Sequence, residues 1–203
     1  VTAAGTAECH ELLLRLAGRL GDRELWRLRD WLASGAIDAV ARALPLTLLR
    51  ERVGITAREY RLLYAALEPR GADPERLNAV SWVDEPAETD YTFSAESPDW
   101  VTMGDSVAVV LGAMLRGRPD VVEARSSWRR SRTATGTATR VVLVTTTGAG
   151  ARLTGELQRV LRALGTTEPA VEVLPRGVEL PGYHRAALAA AEPLLAEGHL
   201  VAS

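Results

Sequence analysis

The sequence predicts a mixed α+β protein with its helices leading and its strands confined to the second half. Three observations carry that prediction. Residues 6–69 repeat leucines at three- and four-residue intervals, the spacing of one helical face. Residues 70–100 are rich in proline and acid, which breaks the pattern and marks a boundary. Arg140–Gly165 then reads as a short β-branched run (Val141–Val144), a Thr/Gly turn and an amphipathic helix through Leu153, Leu157, Val160, Leu161 and Leu164. With the apolar run Ala170–Leu174 after it, this unit has the length of a βαβ crossover.

Taken in order, Leu12, Leu13, Leu16 and Leu20 line a first helix ending near Gly21. Asp22 is placed to cap a second, with Leu25, Leu28 and Leu32 inside, Trp26 and Trp31 at its margins and Gly35 at its end. A third follows through Ile37, Val40 and Leu44, with a kink or fresh start expected at Pro45. Thr56-Ala-Arg-Glu59 is a capping box for a fourth helix, which runs through Leu63 and Leu67 to Pro69. Residues 1–70 therefore read as a helical bundle, and 71–100 as a linker with one short strand, Tyr91–Ala95, entering a domain over 101–203.

In that domain Met103–Leu115 reads as a helix, Asp120–Trp128 as a strand, and Ser131–Thr139 as the loop of a hairpin to Val141–Val144. Pro181 opens a last helix, Gly182–Ala196. The order β-α-β-β-α-β plus a C-terminal helix is that of the ferredoxin-like, split βαβ arrangement. A small doubly wound, Rossmann-like sheet is the alternative if 131–139 is not a hairpin.

Composition narrows function mainly by exclusion. The chain has 203 residues, 47% of them hydrophobic, enough to bury a real core. A net charge of −2 gives no global pull toward nucleic acid. No apolar run approaches the ~18 residues of a membrane span. Cys9, the only cysteine, excludes an internal disulfide and fits a reducing cytoplasm. All 24 basic residues are arginine, so within this chain there is no P-loop or Schiff-base lysine.

Two segments resemble known families. Gly54–Leu67, GITAREYRLLYAAL, is similar to the first helix of winged-helix DNA-binding domains of response regulators, over at most Gly54–Val80. The resemblance implies a turn and recognition helix next, for which Gly71–Asn78 is short, and no basic wing follows. Gly104-Asp105-Ser106 resembles the nucleophile block of GDSL-type esterases, which implies a His with an Asp three residues before it, and an Asn donor. His184 is preceded at that distance by Pro181, and Asn78, the only asparagine, lies upstream of the serine. Asp105 or Ser106 as a helix cap is the simpler reading.

Two candidate sites remain. Thr146, Thr147, Gly148, Gly150 and Arg152 form a strand–glycine–helix turn whose free N–H groups can hold a phosphate. Leu153 stands where the dinucleotide fingerprint needs its third glycine, and Glu156 where a P-loop needs lysine. Arg125, Trp128, Arg129, Arg130 and Arg132 form a basic patch that can stack on bases or meet an acidic protein surface. His10, His184 and His199 show no metal-ligand spacing, so no metal, cofactor or catalytic residue is assigned. The expectation is a cytoplasmic, non-enzymatic interaction or regulatory protein that self-associates through its helical region. The alternatives are a small molecule or nucleotide phosphate at Thr145–Arg152, and nucleic acid along 125–140.

Overall fold

A computed structural model describes residues 3–97, 105–133, 138–166 and 170–194. The chain divides into two compact units, Val1–Thr89 and Asp90–Ser203. Gly104, Met103 and His199, named above, lie outside the described residues, as do residues 134–137 of the hairpin loop and the far end expected for the last helix.

The first unit is helical: α1 (Ala3–Arg15), α2 (Asp22–Ala33), α3 (Ile37–Arg50), α4 (Ala57–Leu67), a 3₁₀ turn over Glu68–Arg70 and α5 (Pro74–Ala79). The leucine stripes do what their spacing predicts, since Leu12, Leu13, Leu16, Leu28, Leu44, Leu48, Leu63 and Leu67 are fully buried. Gly35 ends α2 at φ +81°, a conformation without penalty only for glycine. The capping box is present in full: Glu59 N–H donates to Thr56 Oγ1 at 3.4 Å, and Thr56 N–H donates to Glu59 Oε2 at 2.9 Å.

Three details differ from the sequence reading. Asp22 is the first residue of α2, behind an N-cap at Gly21, rather than its cap. Pro45 does not restart α3, which runs through it; Val40, Ala41, Leu44, Pro45 and Leu48 are buried, and that burial offsets one lost backbone bond. Within the stretch read as linker, Asp73 caps α5, accepting from Glu75 N–H at 3.0 Å, with Pro74 at the first helical position.

The second unit comprises β1 (Tyr91–Ser94), α6 (Ser106–Leu115), β2 (Val121–Ser131), β3 (Thr139–Thr146), α7 (Gly150–Ala163), β4 (Ala170–Pro175), α8 (Gly182–Ala189) and β5 (Glu192–Pro193). The element order matches expectation up to α8, which stops seven residues short of Ala196 and gives way to β5. The sheet does not interleave its strands as a split βαβ sheet does. Its order is β1-β2-β3-β4, antiparallel except for the β3–β4 pair, and β5 joins β2 beside β1. The β3–α7–β4 crossover joins direct neighbours, leaving no gap for a third strand.

Both sheet faces are covered. On one, Ala124 stands opposite Val144, which stands beside Val173, and these pack with Leu111 and Leu115 of α6 and Leu153, Leu157 and Leu161 of α7. The other face lies under α8, whose Tyr183, His184 and Ala187 are buried.

Candidate functional site

The helical unit carries a partly exposed aromatic platform, with Trp82 exposed and Tyr60 and Tyr64 half-buried. Ile55, fully buried, donates its N–H to Ser81 O at 2.9 Å and accepts from Val83 N–H at 3.0 Å. This short bridge lays 81–83 along the entry to α4. Gly54 lets the two segments close: a Cβ there would sit 2.5 Å from Val83 Cγ1. Successive side chains of an extended strip point to opposite sides, so Val83 facing in turns Trp82 out, where it is 57% exposed. Tyr60 and Tyr64, one helical turn apart on α4, have ring centroids 5.7 Å apart, and Tyr60 lies 4.6 Å from Trp82 at 36°. Tyr60 OH donates to Asn78 Oδ1 of α5 at 2.7 Å, holding the ring in place. Just past Trp82, Asp84, Glu85 and Glu88 are exposed, and among the described residues none of them forms an ion pair.

The arginine patch is not a patch on the surface. Alternation along β2 sends its members to different places. Arg129 is buried, donates to Tyr183 OH at 3.0 Å and stacks 4.4 Å from the centre of the Tyr91 ring. Arg125 donates to Ala191 O at 2.6 Å. Trp128, on the opposite face, is buried beneath Arg140 at 4.7 Å. Arg130 and Arg132 are exposed. Under α8, His184 and Glu172 meet at 2.8 Å with both side chains almost wholly buried.

The glycine turn is closed by the chain itself. Thr146 is buried, and its hydroxyl donates to Asp120 O at 2.7 Å while accepting from Gly148 N–H at 2.9 Å. Thr147 N–H donates to the same carbonyl at 2.9 Å. The Asp120 carboxylate lies against Gly148, where a Cβ would come within 2.7 Å of Oδ2. Gly150 is the first residue of α7, and its carbonyl accepts from Thr154 Oγ1 at 2.9 Å. Arg118 binds both Asp120 and Glu156, and Arg152, largely exposed, reaches Glu156 at 3.5 Å. The hydrogen bonds from Arg118 hold the Asp120 carboxyl below the usual carboxylate range, against a smaller upward push from desolvation. An anionic side chain thus already stands beside this turn, and Gly148 gives it room.

Asp105 caps α6, accepting from Ala108 N–H at 3.0 Å, and its carboxylate takes both arms of Arg140, Nη1 to Oδ1 at 2.8 Å. That is the helix-cap reading of the Gly-Asp-Ser block. Burial pushes the Asp105 carboxyl up, but Arg140 and the α6 N–H groups together hold it below its ordinary value. A cavity of about 310 Å³ opens beside this pair, lined also by Trp128, Ser126, Glu96 and Glu192.

Among the described residues no group of His, Cys, Asp and Glu is arranged to hold a metal ion. No helix among them is long and apolar enough to cross a membrane. Burial raises the Cys9 thiol to about 12, so this cysteine is a core residue and not a nucleophile. Comparison with protein-family models, curated proteins and solved structures returns no significant match.

Sequence reasoning missed the aromatic platform because Tyr60 and Tyr64 lie within a leucine-bearing helix and Trp82 within an apparent linker. The signal that finds it is the pairing of Ile55 with Val83, a contact made only in three dimensions.

Proposed function

We propose that this chain is a non-enzymatic interaction or regulatory protein that makes its contacts, including contacts with further copies of itself, through the helical unit. The observation that supports this is the Tyr60–Tyr64–Trp82 platform. Tryptophan and tyrosine dominate interface energetics because they bury large areas at low entropic cost. A tryptophan left 57% exposed while fixed by two backbone hydrogen bonds at its neighbours and stacked on a tyrosine is pre-organised for such burial.

The readings that place an anion at Thr145–Arg152 or nucleic acid along 125–140 have less support, since Thr146, Gly148, Arg125 and Arg129 are engaged within the unit. Cytoplasmic location is part of the proposal and rests on the single buried thiol.

Sedimentation velocity over a wide concentration range tests the reading. The weight-average mass is expected to rise with concentration and to stay at one chain in Trp82→Ala. A wild-type mass fixed at one chain throughout would remove the self-association element.

A further inference from the structure

We infer that the aromatic platform and the acidic run beside it bind an arginine-bearing basic segment of a partner protein. The inference rests on the interaction reading above and names the chemistry of the partner.

Elsewhere this molecule lays arginines over its own aromatic rings. Arg27 stacks over Trp31 at 5.2 Å, Arg129 over Tyr91 at 4.4 Å and Arg140 over Trp128 at 4.7 Å. The guanidinium is planar, weakly hydrated and attracted by the negative face of an aromatic ring. Among the described residues no arginine stacks on Tyr60, Tyr64 or Trp82, although Trp82 is 57% exposed. Tyr60 and Trp82 touch each other at 4.6 Å, so no slot lies between them and a ligand must lie across the outer faces.

Charge decides which ligand. Asp84, Glu85 and Glu88 follow Trp82 within six residues of sequence; they are exposed and, among the described residues, form no ion pair. Carboxylates beside a π-face disfavour phosphate-bearing ligands and favour a cation, whose guanidinium can stack on the ring while its N–H fork meets a carboxylate. A lysine ammonium offers the charge without the stacking plane, so discrimination between the two follows from the same geometry. An uncharged proline-rich segment would use the rings but not the acids.

The test uses the full chain and a fluorescein-labelled (Gly-Arg)₄ peptide amide, read by anisotropy, with (Gly-Lys)₄, (Gly-Gln)₄ and a proline-rich peptide as comparators. The arginine peptide is expected to bind at least about tenfold more tightly than the glutamine peptide, and more tightly than the lysine peptide. Trp82→Ala, a change at an exposed site, should lose about tenfold in affinity with the thermal midpoint kept. The triple change Asp84→Asn, Glu85→Gln, Glu88→Gln should weaken binding and flatten its dependence on salt. Equal affinity for the glutamine peptide, preference for the proline-rich one, or unchanged affinity in Trp82→Ala overturns the inference. If the arginine peptide fails while Trp82→Ala still abolishes the concentration-dependent mass, the interaction reading stands and the partner chemistry is wrong. If the mass is invariant and the peptide binds, self-association falls and the arginine site stands.

Discussion

The two units differ in what decides which side chains go inside. The helical unit buries leucine after leucine, with Trp26, Arg29 and Glu59 among them, and leaves Trp82 exposed beside the half-buried Tyr60 and Tyr64. The α/β unit buries Trp128, Arg129, Tyr183, Glu172 and His184, and leaves Val109 and Val110 of α6 exposed. The difference is geometric. A surface helix buries one stripe, so its chemistry can be sorted by position around the axis. A sheet covered on both faces buries alternate residues in both directions, whatever they are. Arg129 and Trp128 therefore go inside because β2 is central, and each then needs a partner: Tyr183 for one, Arg140 for the other.

The strongest way to break this comparison is through a charged pair buried in the helical unit. Arg19 bridges to Glu59, and the side chains are 6% and 4% exposed. Arg19 also donates to Gly54 O at 3.0 Å and Arg15 O at 2.9 Å, so it ties the end of α1 to the start of α4. Glu59→Ala strands that guanidinium and removes half of the capping box. A loss of about 3–5 kcal/mol is expected, read as a lower urea midpoint for the helical signal. A loss no greater than that of an exposed pair such as Arg50–Glu51, at most about 1 kcal/mol, would show that solvent reaches the site.

Gly148→Ala makes the matching cut in the α/β unit. The new methyl would meet Asp120 Cβ at 2.9 Å and Oδ2 at 2.7 Å, and Asp120 is held by Arg118. Overpacking of this kind costs about 1–3 kcal/mol. Binding of inorganic phosphate to the wild-type protein, lost in this variant, would instead return the turn to the list of ligand sites.

Thr56→Ala is milder, because the cap's hydroxyl contact is long at 3.4 Å while Glu59 keeps its own bond to the Thr56 N–H. About 1 kcal/mol is expected, seen as a small fall in thermal midpoint. The capping box is also the element most legible in the sequence, since four adjacent residues contain both halves of the interaction. Leucine stripes and the Val141–Val144 strand were legible for the same reason: their evidence is local and periodic. The fate of Arg125 and Arg129 was half legible. Their spacing of four along a strand places them on one face, but only α8, fifty residues on, makes that face an interior. Strand order was not legible, because the same β-α-β-β-α-β string is compatible with several pairings, and pairing is settled by which apolar faces α6 and α7 can cover. Trp82 needed Gly54, and nothing near either residue announces the other.

The smallest expected effect concerns pH, and it separates the units again. In the α/β unit, Asp105 and Asp120 both have carboxyls held below their ordinary value, largely through Arg140 and Arg118. A carboxyl depressed in the folded state binds its proton less readily than in the unfolded chain, so the stability it contributes is complete above the unfolded value of ~3.9. That contribution is lost as pH falls through the folded values. Thermal unfolding between neutral pH and strong acid should therefore show the α/β signal weakening below the ordinary carboxylate range. In Asp120→Asn the weakening should be shallower, because one of the two linked protons is gone. Asp120 is partly exposed, so the change is expected to be a shift of slope and not a collapse. An identical pH profile in wild type and Asp120→Asn would mean that Arg118 serves Glu156 alone, and that the carboxylate beside Gly148 is held there by shape rather than by charge.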